Sequence, residues 1–120
     1  GREGRPGARA PHVFLQSDGG RLSTLDLFGR DFVLLAGPEG EAWRAAASAA
    51  AKELGVRMDA YLVGDNGLTD AGGSFPGAFG ISPSGAVLVR PDGFVGWRAV
   101  TAADTPEDDL RQALQALLCR

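Results

Sequence analysis

Redox and metal chemistry have almost nothing to work with in this sequence. Its 120 residues include one cysteine, one histidine and one methionine. A paired-thiol centre, a disulfide framework and a multi-histidine metal site are all excluded by that count. Basic charge is also scarce. The net charge of -3 supplies no field to hold nucleic acid or an anionic membrane, so neither is expected as a partner. No apolar run approaches the ~20 residues that a membrane span requires, and no signal-peptide pattern opens the chain. The expected location is therefore the cytoplasm.

What remains is a chain of ordinary domain size, 44% hydrophobic and with 18 glycines. A chain this long buries roughly two-thirds of its unfolded surface, enough for one core without staples. Lys52 is the single lysine among twelve basic residues. Gly1 to Pro11 carries Gly, Pro and Arg without apolar periodicity and reads as a flexible linker. Because no methionine opens the chain, the expectation is a linker at 1–11, preceded by an absent domain, and a folded domain at 12–120.

The coarse pattern alternates strands and helices. His12-Val13-Phe14-Leu15, the turn cluster Ser17-Asp18-Gly19-Gly20 and Arg21-Leu22-Ser23 read as a hairpin. Thr24 has the hydroxyl to cap a short helix through Phe28, closed by Gly29. Phe32-Val33-Leu34-Leu35-Ala36 is a continuous apolar run, as in a strand covered on both faces. Trp43, Ala47, Ala50, Ala51 and Leu54 then recur at helical spacing, with Gly55 as the stop. Val56–Val63 reads as a strand weakened by Arg57 and Asp59, Gly64–Ser74 as a loop, and Phe75–Phe79 as one helical turn. Ala86–Arg90 and Phe94–Arg98 form a hairpin about Pro91-Asp92-Gly93. The last helix starts at Thr105 and Pro106, with acids in its first turn and Leu110, Ala113, Leu114, Leu117 and Leu118 as its apolar stripe. This order predicts an α/β, thioredoxin-like three-layer fold. It has a mixed central sheet, helices on both faces and no redox cysteines.

The position where such a fold carries chemistry is the start of the helix after the first central strand. Here that junction is Ala36-Gly37-Pro38-Glu39-Gly40-Glu41, without a cysteine and with two acids opposing a thiolate. Cys119, near the C-terminus, and His12, at the edge of the opening segment, have no companions for catalysis. Neither Gly80–Gly85 nor Gly64–Gly67 has the spacing of a phosphate loop or dinucleotide fingerprint, so no cofactor is expected on this fragment. Catalytic, cofactor-binding and metal residues are accordingly all expected to be absent. The densest polar-aromatic cluster is Arg90, Asp92, Trp97 and Arg98. It reads as a hairpin turn or, alternatively, as a contact surface, because arginine and tryptophan are enriched at interfaces.

Leu88-Val89-Arg90-Pro91-Asp92-Gly93-Phe94-Val95-Gly96-Trp97-Arg98 resembles the closing hairpin of the C-terminal domain of FAD-dependent aromatic-ring monooxygenases. The family pattern is close to L-V-R-P-D-G-x-V-A-W-R, with Gly96 the departure. Gly7–His12 resembles the stretch entering that domain, and Ser23–Leu35 its first helix and central strand. The resemblance implies a non-catalytic C-terminal accessory domain, serving stability or assembly, of a phenol hydroxylase or polyketide-tailoring hydroxylase. It also implies FAD and NAD(P)H for the parent protein, N-terminal flavin-binding domains of the same chain as partners, and a homodimer in some relatives. The alternatives are a free-standing thioredoxin-like interaction module, or a thiol peroxidase or oxidoreductase using Cys119.

Overall fold

In the computed structural model, which describes residues 4–64 and 67–119, Phe14–Ser17 (β1) and Gly20–Ser23 (β2) pair as an antiparallel hairpin. A single 3₁₀ turn follows over Thr24–Leu27. Its cap is Ser23, not Thr24. The Ser23 hydroxyl accepts from the Leu25 N–H at 3.0 Å, while Asp26 accepts from the Ser23 N–H at 2.9 Å. The Thr24 hydroxyl is used elsewhere: it donates to the Pro11 carbonyl and accepts from the Val13 N–H, fully buried. A side chain that ties two backbone segments together is not available to cap its own turn.

Phe32–Ala36 (β3) is buried along its whole length, as the unbroken apolar run requires. Glu41–Leu54 (α1) follows and ends at Gly55, whose φ of 69° no β-carbon would favour. Met58–Leu62 (β4), Phe75–Phe79 (α2), Ala86–Val89 (β5), Val95–Ala99 (β6) and Pro106–Leu118 (α3) complete the order. The sheet runs β4-β3-β5-β6, with β3 and β4 parallel and the other pairs antiparallel. Thr105 stands at the N-cap position of α3, but its side chain makes no capping bond.

Strand alternation divides the core in two. Leu34, Ala36, Ala86 and Leu88 pack against Trp43, Ala47 and Ala50 of α1 and Leu110 and Leu114 of α3. Val33, Leu35, Val87 and Val89 face the opposite way, against Val13, Leu15, Phe75, Phe79 and Ile81. The second face is thus covered by α2 together with the β1–β2 hairpin. The layers and mixed sheet are those expected of a thioredoxin-like fold. Arg111 ties the two long helices together, donating to Glu53 of α1 at 3.0 Å and to Asp108 of α3 at 2.7 Å.

The opening segment is more ordered than its composition implies. Gly7 N–H donates to Val95 O, Val95 N–H to Ala8 O, and Ala10 N–H to Gly93 O, each at 2.8 Å. Arg9 is bridged to Phe94, and Ala10 is buried. Residues 7–10 therefore lie alongside Gly93–Val95, where β6 begins, and are not free coil. This pairing is made by backbone groups, which leave no side-chain periodicity to read. Residues 1–3 of the expected linker lie outside the described residues.

Candidate functional site

The start of α1 is closed by backbone packing. Gly37 N–H donates to Gly85 O at 3.1 Å, and Glu39 N–H to Pro83 O at 2.9 Å. A β-carbon on Gly37 would stand 2.3 Å from the Pro83 carbonyl oxygen. Trp43, buried beneath, donates its indole N–H to the Ser84 carbonyl at 3.0 Å. Glu41 is held by Arg44 through bonds of 2.6 and 2.7 Å. The hydrogen bond from that guanidinium keeps the Glu41 carboxyl below its usual range. The local groups are thus an exposed proline, two acids and one paired cation, and no nucleophile stands there. Cys119 lies instead at the far end of α3, exposed, with a left-handed φ of 57°.

The cluster Arg90, Asp92, Trp97 and Arg98 is divided by the structure. Arg90 and Asp92 form an ion pair at the hairpin tip, and Asp92 also accepts from the Phe94 N–H at 3.2 Å. Arg90 and Arg9 both lie over the Phe94 ring, at 5.7 and 4.7 Å from its centroid. Beyond the tip, Val95 opposes Val89 and Trp97 opposes Leu88, which leaves Gly96 as the extra residue of a bulge. The bulge returns Trp97 to the helical face, edge-on to Trp43 at 5.1 Å. Arg98 points to the opposite face and donates to the Phe79 carbonyl at 3.3 Å. The hairpin tip and Trp97 are therefore brought together only through the strand, and Arg98 belongs to the other side.

The glycines do not form a phosphate cradle among the described residues. Gly40 and Gly85, like Gly37, let backbone approach backbone: a β-carbon on Gly85 would lie 2.4 Å from the Val100 oxygen. Their N–H groups point into the fold, so the residues present do not fit a dinucleotide. The glycine stretch Gly64–Gly67 includes residues 65 and 66, which are outside the described residues. Among the described residues, no three His, Cys, Asp or Glu side chains converge on a metal site. No helix of the described residues is long and apolar enough to cross a membrane.

A groove with no signature in the sequence periodicity lies at the other edge of the sheet. A groove of about 690 Å³ follows β4 at Ala60, Tyr61 and Leu62, between the Ser17–Gly19 turn and the Glu41–Arg44 pair. The half-buried Tyr61 phenol and the exposed Asp59 carboxylate make no hydrogen bond or ion pair to the described residues. Burial, with a smaller contribution from Asp59, raises the Tyr61 pKa above its ordinary value. The signal in the sequence is Asp59, a charge that weakens the strand pattern and marks its exposed side.

Sequence and structure comparisons place this architecture in a defined group. The sequence model of one family, described as aromatic-ring hydroxylase, C-terminal, matches residues 3–120. A 4-methyl-5-nitrocatechol 5-monooxygenase of Burkholderia sp. is 54% identical over 118 residues, covering 98% of this chain and 22% of that protein. A tetracenomycin A2 monooxygenase-dioxygenase of Streptomyces glaucescens is 50% identical, with 98% and 21% covered. Among solved structures, a ternary complex of aklavinone-11 hydroxylase with FAD and aklavinone superposes with a TM-score of 0.94 at 49% identity. That match covers 98% of this chain and 22% of the hydroxylase. The chain spans about a fifth of the length of these relatives.

Proposed function

Because the chain belongs to the aromatic-ring hydroxylase C-terminal family, we propose that it is the accessory domain of a longer FAD- and NAD(P)H-dependent aromatic-ring monooxygenase. The observation that carries this reading is the match across residues 3–120 to relatives of which it forms about a fifth. In that role the domain holds neither flavin nor substrate. It stabilises or assembles a protein whose flavin-binding domains precede residue 12 in the same chain and whose substrates are phenols or aromatic polyketides. Residues 1–11 join the two parts, with residues 7–10 anchored beside the start of β6. The hairpin tip, Arg90 and Asp92, is the contact region of this reading toward the remainder of the protein, with Trp97 and Arg98 on opposite faces of the strand behind it, and a cytoplasmic location is part of the same proposal.

Two things support a non-catalytic role. The start of α1 holds no nucleophile, and its glycines are used for packing. Cys119 stands apart from that start, at the C-cap just past α3. The test is flavin binding. Titration of the purified chain with FAD is expected to give no saturable quenching of flavin fluorescence, whereas the longer protein purifies yellow. Stoichiometric flavin on the chain alone would overturn the reading.

A further inference from the structure

One carboxylate oxygen of the fold is left without a donor. Ser74, at the cap position of α2, makes no side-chain bond there; Asp70 Oδ2 instead accepts from the Phe75 N–H at 2.8 Å. The backbone fixes Asp70 from both sides. Thr69 exchanges backbone bonds with Gln16 at 2.8 and 2.9 Å, and the Gly73 N–H donates to the Asp70 carbonyl at 3.0 Å. The second oxygen, Oδ1, is shielded from solvent and has no hydrogen-bond donor among the described residues. A carboxylate oxygen that is neither solvated nor bonded is costly, and it calls for a donor from elsewhere. A cavity of about 340 Å³ opens beside Asp70. It lies between Pro38 before α1, Val63 and Gly64 after β4, and Phe75 and Pro76 of α2.

Charge and walls together select the occupant. We propose that this cavity takes a cationic side chain, arginine or lysine, from the part of the longer protein that precedes this domain. Its head would donate to Asp70 Oδ1, a charge-assisted bond stronger than a neutral donor makes. Its methylene stem would lie along Pro38, Val63 and Pro76, as long cationic side chains bury their stems on apolar surface. The χ2 torsion of aspartate is broad, so Oδ1 can turn toward the cavity while Oδ2 keeps the Phe75 N–H. Position favours this source. Gly4 packs on Phe79, at the far end of the five-residue α2. That helix is about 7.5 Å long, so a domain joined through the opening segment enters close to Asp70. The source of the cation rests on the accessory-domain reading above, but the site does not. Stoichiometric flavin on the chain would remove the first and leave the second.

Amide-resolved NMR titration of the chain tests the site, with N-acetylarginine amide, N-acetyllysine amide and the uncharged N-acetylcitrulline amide as probes. Saturable shifts at the Gly64, Asp70 and Phe75 amides are expected from the cations and not from the citrulline probe. The stronger cationic response tells whether the head is a guanidinium or an ammonium. Asp70→Asn keeps an acceptor for the Phe75 N–H and removes the charge. It should leave the rest of the spectrum unchanged and weaken the cation response about tenfold or more. In the longer protein, labelled in this domain alone, the cavity is already filled and the same probes should shift nothing. No saturable shift from either cation would overturn the site and assign Oδ1 to an ordered water. An equal response to the citrulline probe, or one that survives Asp70→Asn, would overturn it too. A response in the longer protein as strong as in the chain would overturn the source.

Discussion

The two edges of the central sheet solve the same problem in opposite ways. Where β6 begins, residues 7–10 add a short strand-like segment, and Arg9 and Arg90 both lie over the Phe94 ring. The next residues bulge at Gly96 and turn a tryptophan inward. Along β4, the described residues cover only the C-terminal end, where Leu68 bridges Val63 and accepts from the Gly64 N–H at 2.8 Å, and the strand bears one acid, one phenol and apolar side chains. One edge is finished from within the chain. The other is left with hydrogen-bonding capacity. Edge strands that are not covered, bulged or heavily charged invite pairing, so the two edges differ in how much of their outer backbone the chain itself covers.

The largest effect should come from uncovering β6. Gly4 is buried where a β-carbon would lie 2.1 Å from the Phe79 carbonyl oxygen and 2.5 Å from its Cα. Backbone cannot give way as a flexible side chain does. Gly4→Ala should lift the opening segment and cost about 1–3 kcal/mol. Urea unfolding should show a lowered midpoint, and the Val95 amide should lose its protection. If the midpoint and that amide are unchanged, β6 is closed by something other than residues 4–10, and the contrast between the edges fails.

A smaller effect sharpens the β4 side. Tyr61 is the only tyrosine, so its ionisation is read directly by ultraviolet absorbance. Burial raises its pKa in the folded state. A raised pKa contributes stability that is fully present below the unfolded value, about 10, and is lost as pH rises through the folded value. Alkaline titration should therefore place the phenol above a free tyrosine, and Tyr61→Phe should flatten the alkaline fall in stability. A phenol that titrates like a free one would mean that the β4 groove does not shield it.

Sequence periodicity made the interior legible and left the edges obscure. The all-apolar run of β3, the alanine stripe of α1 and the leucines of α3 each bury side chains at a fixed spacing, and each lies where that spacing put it. The first turn was misassigned because Ser23 and Thr24 are adjacent hydroxyls. Only the fold decides which one caps and which one ties Pro11 to Val13. The attachment of residues 7–10 is a backbone pairing, invisible to composition. A β-carbon on Gly96, where the family pattern carries alanine, would meet only side-chain atoms, Leu117 Cδ1 at 2.7 Å and Arg90 Cγ at 3.1 Å, which can shift. The proposed contact cluster was read as four neighbours in sequence. The bulge and strand alternation send Trp97 and Arg98 to opposite faces.

The smallest effect belongs to the hairpin tip, where β6 begins. The hydrogen bond from Arg90 holds the Asp92 carboxyl below its ordinary pKa, opposed by partial desolvation and helped by the Phe94 N–H. A carboxyl depressed in the folded state contributes stability above its unfolded pKa, near 4, and loses it as pH falls through the folded value. Asp92→Asn should therefore lower stability at neutral pH only slightly, and the two proteins should converge in acid. Both partners are largely exposed, so added salt should shrink the difference further. Thermal unfolding at pH 7 and pH 3, with and without salt, measures this. A difference that persists at pH 3 would place the role of Asp92 in its turn geometry, through the bond to Phe94, rather than in its charge. Arg90 would then lie over Phe94 as packing that closes the β6 edge.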